Sequence, residues 1–315
     1  MGRKEKQEKP CVQLVNKLMF IKFKIWLQAA RVFSLTAAVI PVCLGAALAF
    51  KSGLNCAWFL FPLVLICSLL LQAATNLVSD YYDYINNVDK DYTFGSSKVI
   101  AQKLLTPKQV LFAGFISFAL CAALALIMLY YRGLPLLIIG LIGILGGLFY
   151  SAKPIGYKYF ALGDFAVFIL MGPLMVLGSF LVITGKLSLT PILASAPVAF
   201  LVTAILAANN LRDIKHDSDA HVKTLAILLG RPLAAYYYCF LLIAAYASIL
   251  LLVYLQILSP WTSLVFLTAP LALRNIKLAL ASRVDDPQKI ATLDILTAQL
   301  HLTFGLILII AMVFS

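Results

Sequence analysis

The chain has 315 residues, 63% of them hydrophobic and 12% charged, whereas soluble domains run near half apolar and a quarter charged. That balance excludes an ordinary soluble enzyme and makes a bundle of membrane helices the natural folding unit. The formal net charge of +12 invites a nucleic-acid reading, but the basic residues sort by topology instead, so no nucleic-acid partner is expected.

In chain order, residues 1–27 form a basic extension, expected to be cytoplasmic, and residues 28–315 a single transmembrane domain. The first apolar run ends in Ala49-Phe50-Lys51 with no cleavage site behind it, so it is read as a retained membrane span and not a signal peptide. Apolar stretches of about 18 to 25 residues predict nine transmembrane helices, because about 20 helical residues cross a bilayer core. They fall at about 33–50, 57–82, 108–131, 133–151, 160–184, 190–212, 232–258, 261–279 and 297–315. Tyr131-Arg132-Gly133 predicts a tight hairpin between the third and fourth, and Pro270 and Arg274 interrupt the eighth. Six scattered cysteines (Cys11, Cys43, Cys56, Cys67, Cys121, Cys239) form no C-x-x-C pair and read as small buried hydrophobes.

With the N-terminus inside, every Lys and Arg except Lys51, Arg132 and Lys186 lies on the inner side, the pattern of a multi-pass cell (inner) membrane protein. All 13 acidic residues, from Glu5 to Asp294, sit there too, although acidic residues do little to set orientation. Both signs of charge on one side predict a polar site toward the cytoplasm.

Two helix ends carry that site. The second span runs without a break into Asn76-Leu-Val-Ser-Asp80-Tyr-Tyr-Asp83, and spacings of four and three stack Asn76, Asp80 and Asp83 on one helical face. The sixth ends in Asn209-Asn210-Leu-Arg212-Asp213-Ile-Lys-His-Asp217, with Asp213 and Asp217 one turn apart. Carboxylates near hydrocarbon are destabilised and repel one another, and a cation between them relieves both effects. Carboxylate and amide oxygens suit Mg²⁺, which keeps waters and bridges to substrate phosphates. Neither cluster is built on the histidine or cysteine ligands that zinc or copper favours. The alternative reading, ordinary helix-end charges, loses ground because both clusters recur with amides at inner helix ends.

Lys98, the loop Tyr150-Ser-Ala-Lys153-Pro-Ile-Gly-Tyr-Lys158, and Lys223 follow as candidates for neutralising a departing diphosphate, beside Asn210 and Arg212. Taken singly, each lysine is also explained as an inner-loop topology charge. His216 and His221 read as solvated. His301 reads either as a hydrogen-bonded packing residue or as a cavity-lining residue near the acceptor.

Asn76-x3-Asp80-x2-Asp83 and Asn209-Asn210-x-Arg212-Asp213-x3-Asp217 resemble the paired aspartate-rich motifs of the UbiA superfamily of intramembrane prenyltransferases. Further stretches point to the branch that prenylates 1,4-dihydroxy-2-naphthoate in menaquinone biosynthesis: Ala29-Ala30-Arg31, Leu35 to Val42, Val88-Asp89, Leu162-Gly163-Asp164, Gly172-Pro173 and Leu300-His301-Leu302. The resemblance implies an all-α polytopic membrane fold of nine transmembrane helices around a central cavity. It also implies Mg²⁺ held by Asn76, Asp80, Asp83, Asp213 and Asp217, four of them catalytic carboxylates. The isoprenyl diphosphate would meet Lys98, Tyr150, Lys153, Lys158, Asn210, Arg212 and Lys223, with Arg31 and His301 on the acceptor side. The implied partners are an isoprenyl diphosphate, a dihydroxynaphthoate and membrane lipid, and the implied reaction is prenyl transfer with decarboxylation to demethylmenaquinol. One departure stands out: the family's Gly-Lys after the second motif is His221-Val222 here, with Lys223 one place later, so that contact is either taken over by Lys223 or absent. Rival readings are another aromatic acceptor such as 4-hydroxybenzoate, a chlorin or haem acceptor, and an ion-coupled transporter.

Overall fold

The computed structural model describes residues 19–90, 93–282 and 286–315, and among these it is helical throughout, apart from one isolated bridge between Phe160 and Lys223. Residues 1–18 of the basic extension, with Cys11, lie outside the described residues. A helix over 19–29 precedes the bundle. The main helices are α1 (Thr36–Lys51), α2 (Phe61–Ile85), α3 (Pro107–Arg132), α4 (Leu134–Phe149) and α5 (Gly163–Thr184), then α6 (Ala196–Asp219), α7 (Leu225–Tyr254), α8 (Ala269–Ala281) and α9 (Leu293–Val313).

Helix therefore occupies each predicted place, but seven segments, not nine, are long and apolar enough to cross a membrane among the described residues. α4 has 16 residues, about 24 Å at 1.5 Å each, short of a hydrocarbon core about 30 Å thick. α6 carries the second acidic cluster along its last turns, which dilutes its apolar character. The surface agrees with lipid as the surrounding solvent: Phe112, Leu126, Tyr130 and Leu267 are among many large apolar side chains left exposed.

Local chemistry sets the boundaries. Gly133 caps α3 and starts α4 at φ 64°, a left-handed backbone that glycine adopts without Cβ strain, so the hairpin closes in one residue. Thr106 and Gln109 form a reciprocal capping box at the start of α3. Pro270 does not break the eighth segment; it sits in the first turn of α8, after a 3₁₀ stretch over Pro260–Thr268. α5 contains a π-helical turn, Leu170–Leu174, around Pro173, whose missing N–H disturbs the regular ladder.

The helices close a ring. α2 packs along α3, α4 bridges α2 and α5, α6 lies between α5 and α7, and α9 sits against α6 and α1. The largest core cluster joins α1, α6, α7 and α9 through side chains such as Ile40, Leu201, Tyr238 and Phe304. Cys67, Cys121 and Cys239 are buried as expected and Cys43 and Cys56 half-buried, all five as free thiols. The ring leaves the last turns of α2 and α6 facing one another, and there the motifs meet.

Candidate active site

On α2, Asn76 donates from Nδ2 to the Ala30 carbonyl at 3.0 Å and to Ser34 Oγ at 2.9 Å. One turn on, Asp80 is 1% exposed, and Arg31 and Ser97 close over its two carboxylate oxygens. Asp83 accepts from Lys158 Nζ at 2.6 Å, Ser79 Oγ at 3.2 Å and the Tyr159 hydroxyl at 2.8 Å. Lys158 Nζ also reaches Ser79 Oγ at 2.7 Å and stands 5.5 Å from the Tyr150 ring centre and 5.0 Å from that of Tyr159. Burial pushes the Tyr157 phenol up to about 12 and that of Tyr159 further still, so Tyr159 stays protonated and keeps donating to Asp83.

On α6, Arg212 grips Asp213 with two parallel bonds, Nε to Oδ1 at 2.9 Å and Nη2 to Oδ2 at 2.7 Å. Its other arm pairs with Asp294 at 2.8 Å and donates to the Ala291 carbonyl at 3.2 Å, tying α6 to the start of α9. Asp217, a turn further, is buried and makes no ion pair or side-chain hydrogen bond among the described residues. It feels the negative charge of Asp213 and Asp83 and the positive charge of Lys158 and Arg212. Asn210 turns its amide to Asp164, at 3.2 Å.

Two loops stitch these ends together. The segment after α2 brings Ser97 to Asp80 and Ser96 to Asp89, while Gln28 donates to the Ser97 carbonyl at 2.7 Å. Gly95 runs so close to α6 that a Cβ there would stand 2.7 Å from Asp213 Oδ2, so any larger residue would push on the second motif's carboxylate. The second loop is pinned through backbone alone: Lys223 N–H donates to the Tyr159 carbonyl at 3.2 Å, and Ala161 N–H to the Lys223 carbonyl at 2.6 Å.

The result is a cavity of about 260 Å³ with a polar end and an apolar wall. Of the sequence candidates, Arg31, Asn76, Asp83, Tyr150, Lys158, Asn210, Asp213 and Asp217 line it. The others are placed elsewhere. Asp80 shares the motif face but is covered by Arg31 and Ser97, as a carboxylate this deep requires. Arg212 stands behind Asp213, engaged on both arms. Lys98 is folded onto Asp89 at 2.8 Å, Thr93 at 2.5 Å and the Lys90 carbonyl, away from the cavity lining. The Lys153 and Lys223 side chains are exposed and outside the lining. His301 is fully buried within α9 with neither ring nitrogen hydrogen-bonded, a packing position in the core and not a lining one.

Several contributors carried no sequence signal of their own role: Tyr159 and Ser79 on Asp83, Ser97 on Asp80, and Asp294 on Arg212. Tyr159 follows Lys158 directly, and that adjacency was the available hint. No group of three or more acidic, histidine or cysteine side chains among the described residues forms a metal cage by itself. Mg²⁺ is commonly bound through one or two carboxylates plus substrate phosphates, and carboxylates line this cavity. Asp217, buried without an ion-pair partner among the described residues, lines the same cavity as Asp83 and Asp213, a donor set of hard oxygens that fits such an ion.

The UbiA prenyltransferase family matches residues 38–311. A 1,4-dihydroxy-2-naphthoate octaprenyltransferase from Bacillus subtilis (strain 168) is 33% identical over 294 residues, 92% of each chain. The UbiA prenyltransferase domain-containing protein 1 of Xenopus tropicalis is 32% identical, over 91% of this chain and 83% of its own. Among solved structures, a UbiA homologue from Archaeoglobus fulgidus bound to GPP and Mg²⁺ superposes with a TM-score of 0.59 at 16% identity, covering 92% of this chain and all of that one. A homologue from Aeropyrum pernix K1 without ligand superposes at 0.63 and 17% identity, over 89% and 97% of the two chains. At those identities the superpositions establish the shared fold.

Proposed function

This chain belongs to the UbiA prenyltransferase family, and from that premise we propose that it moves a polyprenyl group from its diphosphate to 1,4-dihydroxy-2-naphthoate, or a close isomer, with loss of the ring carboxylate as CO₂. The observation that carries the reading is the cavity in which Asp83, Asp213, Asp217 and Lys158 converge beside an apolar wall. An isoprenyl diphosphate has that same division, a highly charged head on a hydrocarbon tail. Its head belongs at the polar end, and its tail along Leu170, Met171, Met175 and Val202 toward lipid.

Asp83, Asp213 and Asp217 would hold Mg²⁺, with Asn76 and Asp80 behind them; when bound, the ion supplies positive charge to the departing diphosphate. Lys158, held at 2.6 Å from Asp83, can turn toward the phosphate and add its own charge as the allylic C–O bond breaks. Tyr159 keeps Asp83 oriented through its 2.8 Å bond. The Tyr150 ring, already beside the Lys158 ammonium, offers its face to the allylic cation. The apolar wall excludes the water that would quench that cation. The distribution of Lys and Arg supports a cytoplasmic polar end.

The test is turnover by the purified protein in lipid, with a labelled polyprenyl diphosphate, Mg²⁺ or EDTA, and a panel of ring acceptors. The expected product is a decarboxylated prenyl naphthoquinol that disappears with EDTA. Product on 4-hydroxybenzoate in place of the naphthoate would overturn the acceptor, and EDTA-resistant product would overturn the metal.

A further inference from the structure

One carboxylate of the cavity is left over by this account. Asp164 lies in the first turn of α5, is 4% exposed and lines the cavity. Its Oδ2 accepts from Asn210 Nδ2 at 3.2 Å, and its Oδ1 has no hydrogen-bond partner among the described residues. The Tyr237 hydroxyl stands near the same carboxyl without closing a bond to Oδ1. The contrast with its neighbours is chemical. Asp83 is paired with Lys158, Asp89 with Lys98, and Asp213 and Asp294 with Arg212; among the described residues no cation pairs with Asp164 or with Asp217, which the proposed Mg²⁺ site already uses. Around Asp164 stand the Asn210 amide and the phenols of Tyr237 and Tyr150, with no cation among them.

A buried carboxylate without a cation is a strong hydrogen-bond acceptor and a competent base, and a free buried oxygen has a large penalty unless something donates to it. Within the proposed reaction, the group that fits is the hydroxyl of the aromatic acceptor. We propose that Asp164 receives the ring O–H of the acceptor, orients the ring, and takes up its proton during transfer. The inference rests on the acceptor being a hydroxylated ring. As the allylic C–O pair leaves with the diphosphate, a ring π pair forms the new C–C bond at the carboxylate-bearing carbon. The adjacent O–H passes its proton to Asp164 and becomes a carbonyl. Loss of CO₂ returns the C–C pair to the ring, and the oxygen takes the proton back from Asp164. The carboxylate ends as it began. Asn210 links this step to the second motif, since it is the next residue after Asn209 and holds Asp164 in place.

Asp164→Asn keeps the shape and removes the base. The expected result is a fall in kcat of about 100-fold or more, with the KM for the prenyl diphosphate unchanged. Slow release of diphosphate and prenyl alcohol should persist in that variant while the C–C product is lost, a split that a structural role would not produce. Asp164→Glu, which restores the carboxylate, should recover part of the rate. Wild-type kcat in a folded Asp164→Asn protein, or parallel loss of diphosphate affinity and thermal stability, would overturn the assignment. If Asp164→Asn does not fold, single turnover of the wild type in D₂O decides: transfer slower than in H₂O supports a moving O–H proton, and equal rates contradict it. Turnover of some other hydroxylated ring would shift the acceptor and leave the same test for Asp164. Turnover of no hydroxylated ring would overturn both.

Discussion

Both acidic clusters join carboxylates to amides at a helix end, but they are held in different ways. The α2 cluster is satisfied by residues from far along the chain: Arg31 on Asp80, and Lys158 and Tyr159 on Asp83. In the α6 cluster Arg212 holds its neighbour Asp213 and reaches across to Asp294, while Asp217 has no ion-pair partner among the described residues. A carboxylate deep in an apolar bundle persists when donors surround it, and one without donors marks where a cation or ligand belongs. The first cluster is thus the prebuilt half of the site, and the second supplies its open position.

Substitutions can break that contrast, beginning with the largest effect. Asp83→Ala removes a cavity carboxylate and frees Lys158 and Tyr159 together; turnover should fall by about 10³-fold, several kcal/mol of leaving-group stabilisation. Arg31→Ala leaves Asp80 buried and unpaired, and thermal unfolding in detergent should show a loss of about 3–5 kcal/mol. Adding Asp80→Asn should recover much of that loss, because no buried charge then lacks a partner. Asp217→Asn should spare stability and raise the Mg²⁺ concentration needed for half-maximal rate by about 10- to 100-fold. Lys153→Ala and Lys223→Ala, at exposed side chains, should change stability by no more than about 0.5 kcal/mol and leave the rate near wild type.

These residues also show what a reader of the sequence can and cannot see. The spacing of Asn76, Asp80 and Asp83 is a local helical fact, and α2 carries all three on continuous helix to Ile85. Likewise Asp213 and Asp217 fall one turn apart within α6. Pairings such as Arg31 with Asp80 depend on how the helix over 19–29 and the loop holding Ser97 converge, which no local pattern encodes. The place of Lys98 is set in the same non-local way: its loop bends back at φ 65° and lays the ammonium on Asp89. Polarity in a span marks either a lining or a buried residue, and for His301 burial comes from α9 packing between α1 and α6, which its own helix does not encode. The shortness of α4 and the π turn in α5 were hidden because apolar composition reports length poorly where glycine and proline set the ends.

The proposed function has both clusters acting on one diphosphate through Mg²⁺. Its most direct test is binding of an unreactive prenyl thiodiphosphate to the reconstituted protein across a Mg²⁺ titration, for wild type, Asp83→Asn, Asp217→Asn and the double variant. Binding should require Mg²⁺, weaken in each single variant, and fall little further in the double, since groups that act as a unit are not additive. Mg²⁺-independent binding, or losses that simply add, would mean that the clusters do not share a ligand.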